Sequence, residues 1–142
     1  MKIDVFSDGG CKNNGRPDAE MYGSVAVNVN DKPHSFHFQD REMAVFHPDL
    51  KDIEHQTSPM AEIMSAFYAL LYITELQERG NKEQVVLHTD CEDVVGWLTQ
   101  NYKIKAPHLR EPILNARNLL AGLNNVRIIQ EPREVLLARL GH

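Results

Sequence analysis

Midway along the chain, the spacing of apolar residues changes from strand-like alternation to helical periodicity. That change restricts the fold to helices packed on a sheet. Lys2 to Ser7 carries Ile3, Val5 and Phe6 and reads as a strand. Asp8 to Glu20 holds Gly9, Gly10, Asn13, Asn14, Gly15 and Pro17, which is turn chemistry. Tyr22 to Val29 alternates Val25, Val27 and Val29 and reads as a second strand. Asn30-Asp31-Lys32 reads as a hairpin turn into a third, antiparallel strand over His34 to Gln39. Arg41 to Gln56 is mixed in pattern and is left unassigned.

From Met60 to Arg79 the apolar residues Ile63, Ala66, Phe67, Leu70, Leu71, Ile73 and Leu76 fall at helical spacing. Ser58 is the expected N-cap, Pro59 a first-turn residue and Gly80 the C′ residue. Beyond it, a strand is expected over Gln84 to Thr89, a helix over Asp93 to Thr99 and a basic loop over Tyr102 to Arg110. A helix over Glu111 to Leu123, a strand over Asn125 to Gln130 and a helix over Glu134 to Leu140 complete the chain. This order, β-β-β-α-β-α-α-β-α, predicts an α/β fold in one domain over residues 1–142. Its mixed five-stranded sheet has three antiparallel strands, then parallel strands, and is flanked by helices.

Three acidic residues fall where those elements would bring them together. Asp8 ends the first strand, Glu62 lies in the first turns of the long helix, and Asp90 ends the strand Gln84 to Thr89. Taken singly, an acidic residue after a strand is often a turn former, and one early in a helix often complements the helix dipole. Together, on these elements, they fit phosphodiester hydrolysis by two divalent ions, which needs several oxygen ligands at one place. Mg²⁺ prefers such carboxylates together with water and substrate phosphate.

Composition sets the outer limits. With 42% hydrophobic and 25% charged residues, the chain matches ordinary globular proteins and needs no disulfide or structural metal to build a core. Cys11 and Cys91 fit no zinc spacing and read as reduced thiols, so a cytoplasmic location is expected. No membrane span and no signal peptide are expected, and a monomer is the simplest state. The net charge of -5 argues against a protein that coats nucleic acid. It is compatible with a nuclease whose carboxylates are offset by bound cations.

The local surrounds of the three acids are Val5-Phe6-Ser7-Asp8-Gly9-Gly10-Cys11, Thr57-Ser58-Pro59-Met60-Ala61-Glu62 and Leu87-His88-Thr89-Asp90-Cys91. From Ile3 to about Arg139 the chain resembles a type I ribonuclease H. In that family the first acidic ligand precedes a turn rich in Gly, Cys and Asn, matched by Asp8 to Gly15. The second follows a Thr-rich approach to a helix, matched by Thr57 to Glu62, and the third sits in a Thr-Asp-Ser type motif, matched by Thr89-Asp90-Cys91. The resemblance implies Mg²⁺-dependent, with Mn²⁺ as a substitute, endonucleolytic cleavage of the RNA strand of an RNA–DNA hybrid. It implies that Asp8, Glu62 and Asp90 are the catalytic metal ligands. It also implies that Gly9, Gly10, Cys11, Asn14, Ser58 and Cys91 line the substrate. Asn14 and Ser58 match positions that touch the minor groove, where 2′-hydroxyls are displayed.

The C-terminus departs from that pattern. Pro132-Arg133-Glu134 is present, but Arg139 follows Ala138 where the family's fourth ligand, an Asp, is expected. Glu134 and His142 are the nearby substitutes, and an imidazole favours Mn²⁺ over Mg²⁺. The loop Tyr102 to Arg110, with Trp97 before it, combines bases and aromatics and suits the phosphates of the DNA strand. His88 reads as structural. Two alternatives stay open: a non-catalytic member that binds nucleic acid or a partner protein, and a related nuclease with another substrate, since one fold hosts many activities.

Overall fold

The computed structural model describes residues 2–12, 20–29, 32–39 and 57–140. Among the described residues ten elements follow one another: β1 (Lys2–Lys12), β2 (Glu20–Val29), β3 (Lys32–Gln39), α1 (Ser58–Glu78), β4 (Gln84–Thr89), α2 (Glu92–Thr99), a 3-10 turn (Pro107–Leu109), α3 (Arg110–Ala121), β5 (Val126–Gln130) and α4 (Arg133–Leu140). The strands form a mixed five-stranded sheet in the order β3-β2-β1-β4-β5. β1 and β3 each run antiparallel to β2, while β4 runs parallel to both β1 and β5. Arg41 to Gln56, Asn14 and His142 lie outside the described residues.

Strand alternation assigns the two faces of the sheet. Ile3 and Val5 of β1, Val25 and Val27 of β2, and Val85 and Leu87 of β4 are buried in one cluster with Ile63, Met64, Leu70 and Ile73 of α1. Val94, Trp97 and Leu98 of α2, and Ile113 and Ala116 of α3, complete that core. On the opposite face, Phe6 and Ala26 bury against Leu136 of α4. Among the described elements, three helices therefore cover one face and α4 covers part of the other.

Several boundaries differ from the sequence reading, and two of them bear on the site. β1 does not stop at Ser7 but continues to Lys12, paired with β2 as far as Lys12↔Glu20. Gly9 and Gly10 are strand residues there, because neighbours occupy the space a side chain would need. A Cβ on Gly9 would overlap the Ala61 carbonyl, and one on Gly10 would overlap the Tyr22 ring. Asp8 thus sits inside a strand and not at its end. The N-cap of α1 is Thr57 and not Ser58: Thr57 is extended, and its hydroxyl accepts a hydrogen bond from the Met60 N–H at 3.3 Å. Ser58 is the first helical residue. At the other end Gly80 takes a positive φ of 94°, as a C′ glycine does.

Candidate active site

The register of β1 against β4 is what brings two of the acids level. The parallel ladder runs from Lys2↔Gln84 to Phe6↔His88. Asp8 and Asp90 each lie two residues beyond that last pair, so they are the next same-face positions on neighbouring chains. Beyond that pair, among the described residues, the β1 ladder continues with β2 alone. β4 ends at Thr89, whose hydroxyl accepts from the Cys91 N–H at 3.1 Å and turns the chain at Asp90.

Glu62 comes to the same place from α1. The absence of a side chain at Gly9 lets the helix backbone at Ala61 lie directly on β1. One carboxylate oxygen each from Asp8, Glu62 and Asp90 then lies within 4.8 Å of the others. Asp8 is buried, with 7% of its surface exposed, and Glu62 and Asp90 are half-buried.

Three carboxylates this close, partly out of water, resist ionising together. Burial first, and then the charge of Asp90, push Asp8 from its ordinary 3.8 up to about 6. Burial, followed by the charges of Asp8 and Asp90, pushes Glu62 from 4.5 up to about 9. Glu62 shares a hydrogen bond with Asp8, yet its Oε2 is buried without a donor among the described residues. A buried carboxylate oxygen without a donor is costly. A divalent cation among the three oxygens would satisfy it and offset the mutual repulsion. The residues present therefore fit Mg²⁺ or Mn²⁺, both of which take oxygen ligands.

The other sequence candidates divide. Gly9 and Gly10 lie on β1 directly after Asp8, with the packing roles given above. Cys11 follows on the same strand, half-buried, its thiol directed to the Lys12 carbonyl at 3.6 Å. Cys91 is the residue that leads into α2; burial, and then the charge of Glu62, push its thiol up to about 12, so it stays protonated. Ser58 opens α1, one turn before Glu62. Glu134 is exposed in the first turn of α4 and is not among the three clustered acids. Arg139, on the same helix, places its guanidinium 5.3 Å from the centre of the Phe6 ring.

Beside the start of α1, a cavity of about 480 Å³ is lined by Pro59, Trp97, Tyr102, Lys103, Lys105 and Leu109 among others. Trp97 is buried and belongs to the core as well. The loop that forms this cavity is held by Arg117 of α3, which donates to the Trp97 carbonyl at 2.7 Å and the Tyr102 carbonyl at 3.0 Å. The Tyr102 ring packs against Gly96, where any side chain would overlap it. The cavity thus offers aromatic surface and two ammonium groups beside the acidic cluster's helix.

The sequence reading takes His88 as structural but assigns it no partners. His88 is buried beneath the acids and touches Asp4 and Glu131. The available clue was a titratable residue closing an otherwise apolar strand, Val85-Val86-Leu87-His88.

Comparison with solved structures supplies the fold family. Ribonuclease H1 of the halophilic archaeon Halobacterium salinarum superposes with a TM-score of 0.69 at 18% identity, covering 99% of this chain and 96% of that one. LC11 ribonuclease H1, isolated from compost by a metagenomic approach, gives 0.71 at 20% identity over 99% and 93% of the two chains. The same LC11 enzyme in complex with an RNA/DNA hybrid gives 0.70 at 17% identity over 98% and 94%. No protein-family model and no curated protein matches the sequence. Over nearly its whole length the chain shares the fold of these ribonuclease H1 structures. Among the described residues no helix is long and apolar enough to cross a membrane.

Proposed function

We propose that this protein is an endonuclease that hydrolyses the RNA strand of RNA–DNA hybrids, using divalent ions held by Asp8, Glu62 and Asp90. The observation that carries the reading is the meeting of those three carboxylates within 4.8 Å on a ribonuclease H fold. Bound ions would supply an activated water and charge neutralisation at the scissile phosphate. Asp8 within β1 and Asp90 just past the end of β4 would set where such ions sit. Glu62, brought close to β1 by the packing of α1 on Gly9, would ligate one ion and help orient the attacking water.

Hybrid is the favoured substrate for two reasons. A solved structure of similar fold is in complex with an RNA/DNA hybrid. In addition, Thr57 caps α1, so the Ser58 hydroxyl is not committed to that role and can meet a 2′-hydroxyl. Lys103 and Lys105 at the cavity beside α1 suit the phosphates of the DNA strand. Incubation of labelled RNA–DNA hybrid with Mg²⁺, Mn²⁺ or a chelator, beside RNA–RNA and DNA–DNA duplexes, tests the reading. Cleavage of the hybrid alone, lost with chelator, is expected. Equal cutting of DNA duplex would move the protein to another nuclease class, and no cutting of any duplex would make it a binding protein.

A further inference from the structure

One same-face step below Asp8 and Asp90, the side chains of three strands are joined through a single ring. His88 Nε2 lies 2.9 Å from Asp4 Oδ1 of β1, and His88 Nδ1 lies 2.8 Å from Glu131 Oε1, just past the end of β5. The ring is 10% exposed and the two carboxylates 24% and 22% exposed, so this is a largely buried bracket. Phe6 stacks on the ring with centroids 4.4 Å apart and planes 14° apart, which fixes its tilt. Glu131 is itself tied to β4, since its N–H donates to the Thr89 carbonyl at 2.8 Å.

The place of this bracket gives it a consequence. Phe6↔His88 is the last pair of the β1–β4 ladder, and no strand pairing links the two chains beyond it. The separation of Asp8 from Asp90 therefore depends on how firmly β1 and β4 are held at that last pair. Ligand constellations work only when held within about 0.5 Å of the productive geometry. We propose that His88, with Asp4 and Glu131, is a positioning element for the carboxylate site: it locks β1, β4 and β5 at the level from which Asp8 and Asp90 project. The inference rests on the divalent-ion reading above. His88 touches neither substrate nor ion; it acts through the two strands.

Electrostatics alone argues the opposite sign, which makes the idea testable. His88→Phe keeps the ring stack on Phe6 but uncovers two carboxylates, and added negative charge attracts cations. A positioning role predicts instead that Mn²⁺ binding weakens. Calorimetric titration of Mn²⁺ into the metal-free full chain should show a loss of about tenfold in affinity for His88→Phe, the lower end of what outer partners of metal ligands contribute. Glu131→Gln, which keeps the volume, should show a smaller loss in the same direction. Where hybrid is cut, kcat at saturating hybrid and fixed Mn²⁺ should fall while KM for hybrid holds. Unchanged or tighter Mn²⁺ binding in variants that still melt cooperatively would overturn the proposal. Failure of both variants to fold would also overturn it, leaving the bracket a stability element. Asp8→Asn in the same titration separates the two readings. If it too leaves binding unchanged, the carboxylate site itself is wrong; if it abolishes binding while His88→Phe does not, only the bracket fails.

Discussion

Gly9 lies so close to Ala61 that any side chain at position 9 would overlap the Ala61 carbonyl and meet Ser65 Oγ at 2.7 Å. This contact sets how near α1 comes to β1, and therefore whether Glu62 reaches Asp8. Ser65 cannot yield easily, because it is fully buried and its hydroxyl donates to the Ala61 carbonyl at 2.8 Å. Gly9→Ala should force the helix outward. The expected stability loss is about 1–3 kcal/mol, the usual cost of inserting atoms into a packed interior. Cleavage should fall by more than the loss of folded protein explains, because the ligand cluster opens. Thermal melting and the rate per folded molecule, measured together, check this; a normal rate in a destabilised variant would show that the contact serves packing alone.

The raised carboxylates make stability depend on pH with a definite sign. Asp8 goes from 3.8 to about 6 and Glu62 from 4.5 to about 9, so the folded site keeps protons that the unfolded chain has released. Their contribution is fully present below the ordinary carboxylate values and is lost as pH rises through the folded ones. Without metal, the melting temperature should fall as pH climbs through that window. Glu62→Gln should flatten the fall, and Asp8→Asn should raise the metal-free melting temperature outright while abolishing cleavage. Saturating Mn²⁺ should remove most of the pH dependence in the wild type. The same slope in Glu62→Gln as in the wild type would assign the effect to other groups.

The basic loop gives a prediction about binding. If Lys103 and Lys105 meet phosphates, Lys103→Ala and Lys105→Ala should each weaken hybrid binding equally across sequences and reduce the log–log salt slope by about 1. Arg117→Ala should weaken binding as well, because it releases the Trp97 and Tyr102 carbonyls that shape the loop. The cut itself, at saturating hybrid, should stay near the wild-type rate in all three. An unchanged salt slope would remove this loop from the interface.

Much of this architecture is written in local patterns. Helical spacing, Pro59 and Gly80 mark α1 to within two residues at its start and one at its end, because caps and periodicity are properties of neighbouring residues. The three acids were legible for the same reason. What was not legible depended on distant partners. Gly9 and Gly10 look like turn residues until Ala61 and Tyr22 supply the packing that needs them in a strand. Thr57 and Ser58 are both good capping residues, and only backbone geometry separates them. His88 finds its partners 84 and 43 residues away, a separation no short-range pattern encodes.

Arg139 tests what the final helix contributes. It stands where the ribonuclease H pattern leads one to expect a fourth carboxylate, and its guanidinium rests over Phe6, the same-face residue immediately before Asp8. Its helix is docked by the fully buried Leu136 against Phe6 and Ala26. Position 139 therefore faces the sheet one step from the acidic cluster. Arg139→Asp removes a cation–π contact of about 0.5–1 kcal/mol, the value for an exposed site. It also replaces a positive charge beside the site with an added carboxylate, so both changes of charge favour cations. Divalent-ion affinity should rise, and more for Mg²⁺ than for Mn²⁺, since Mg²⁺ is the ion that most needs well-placed oxygens. Arg139→Leu separates the two effects: it removes the positive charge without adding a ligand, and should give only a partial gain. If Arg139→Asp and Arg139→Leu behave alike in Mg²⁺, the position supplies charge and not a ligand; if neither differs from wild type, α4 is set too far from the cluster to matter.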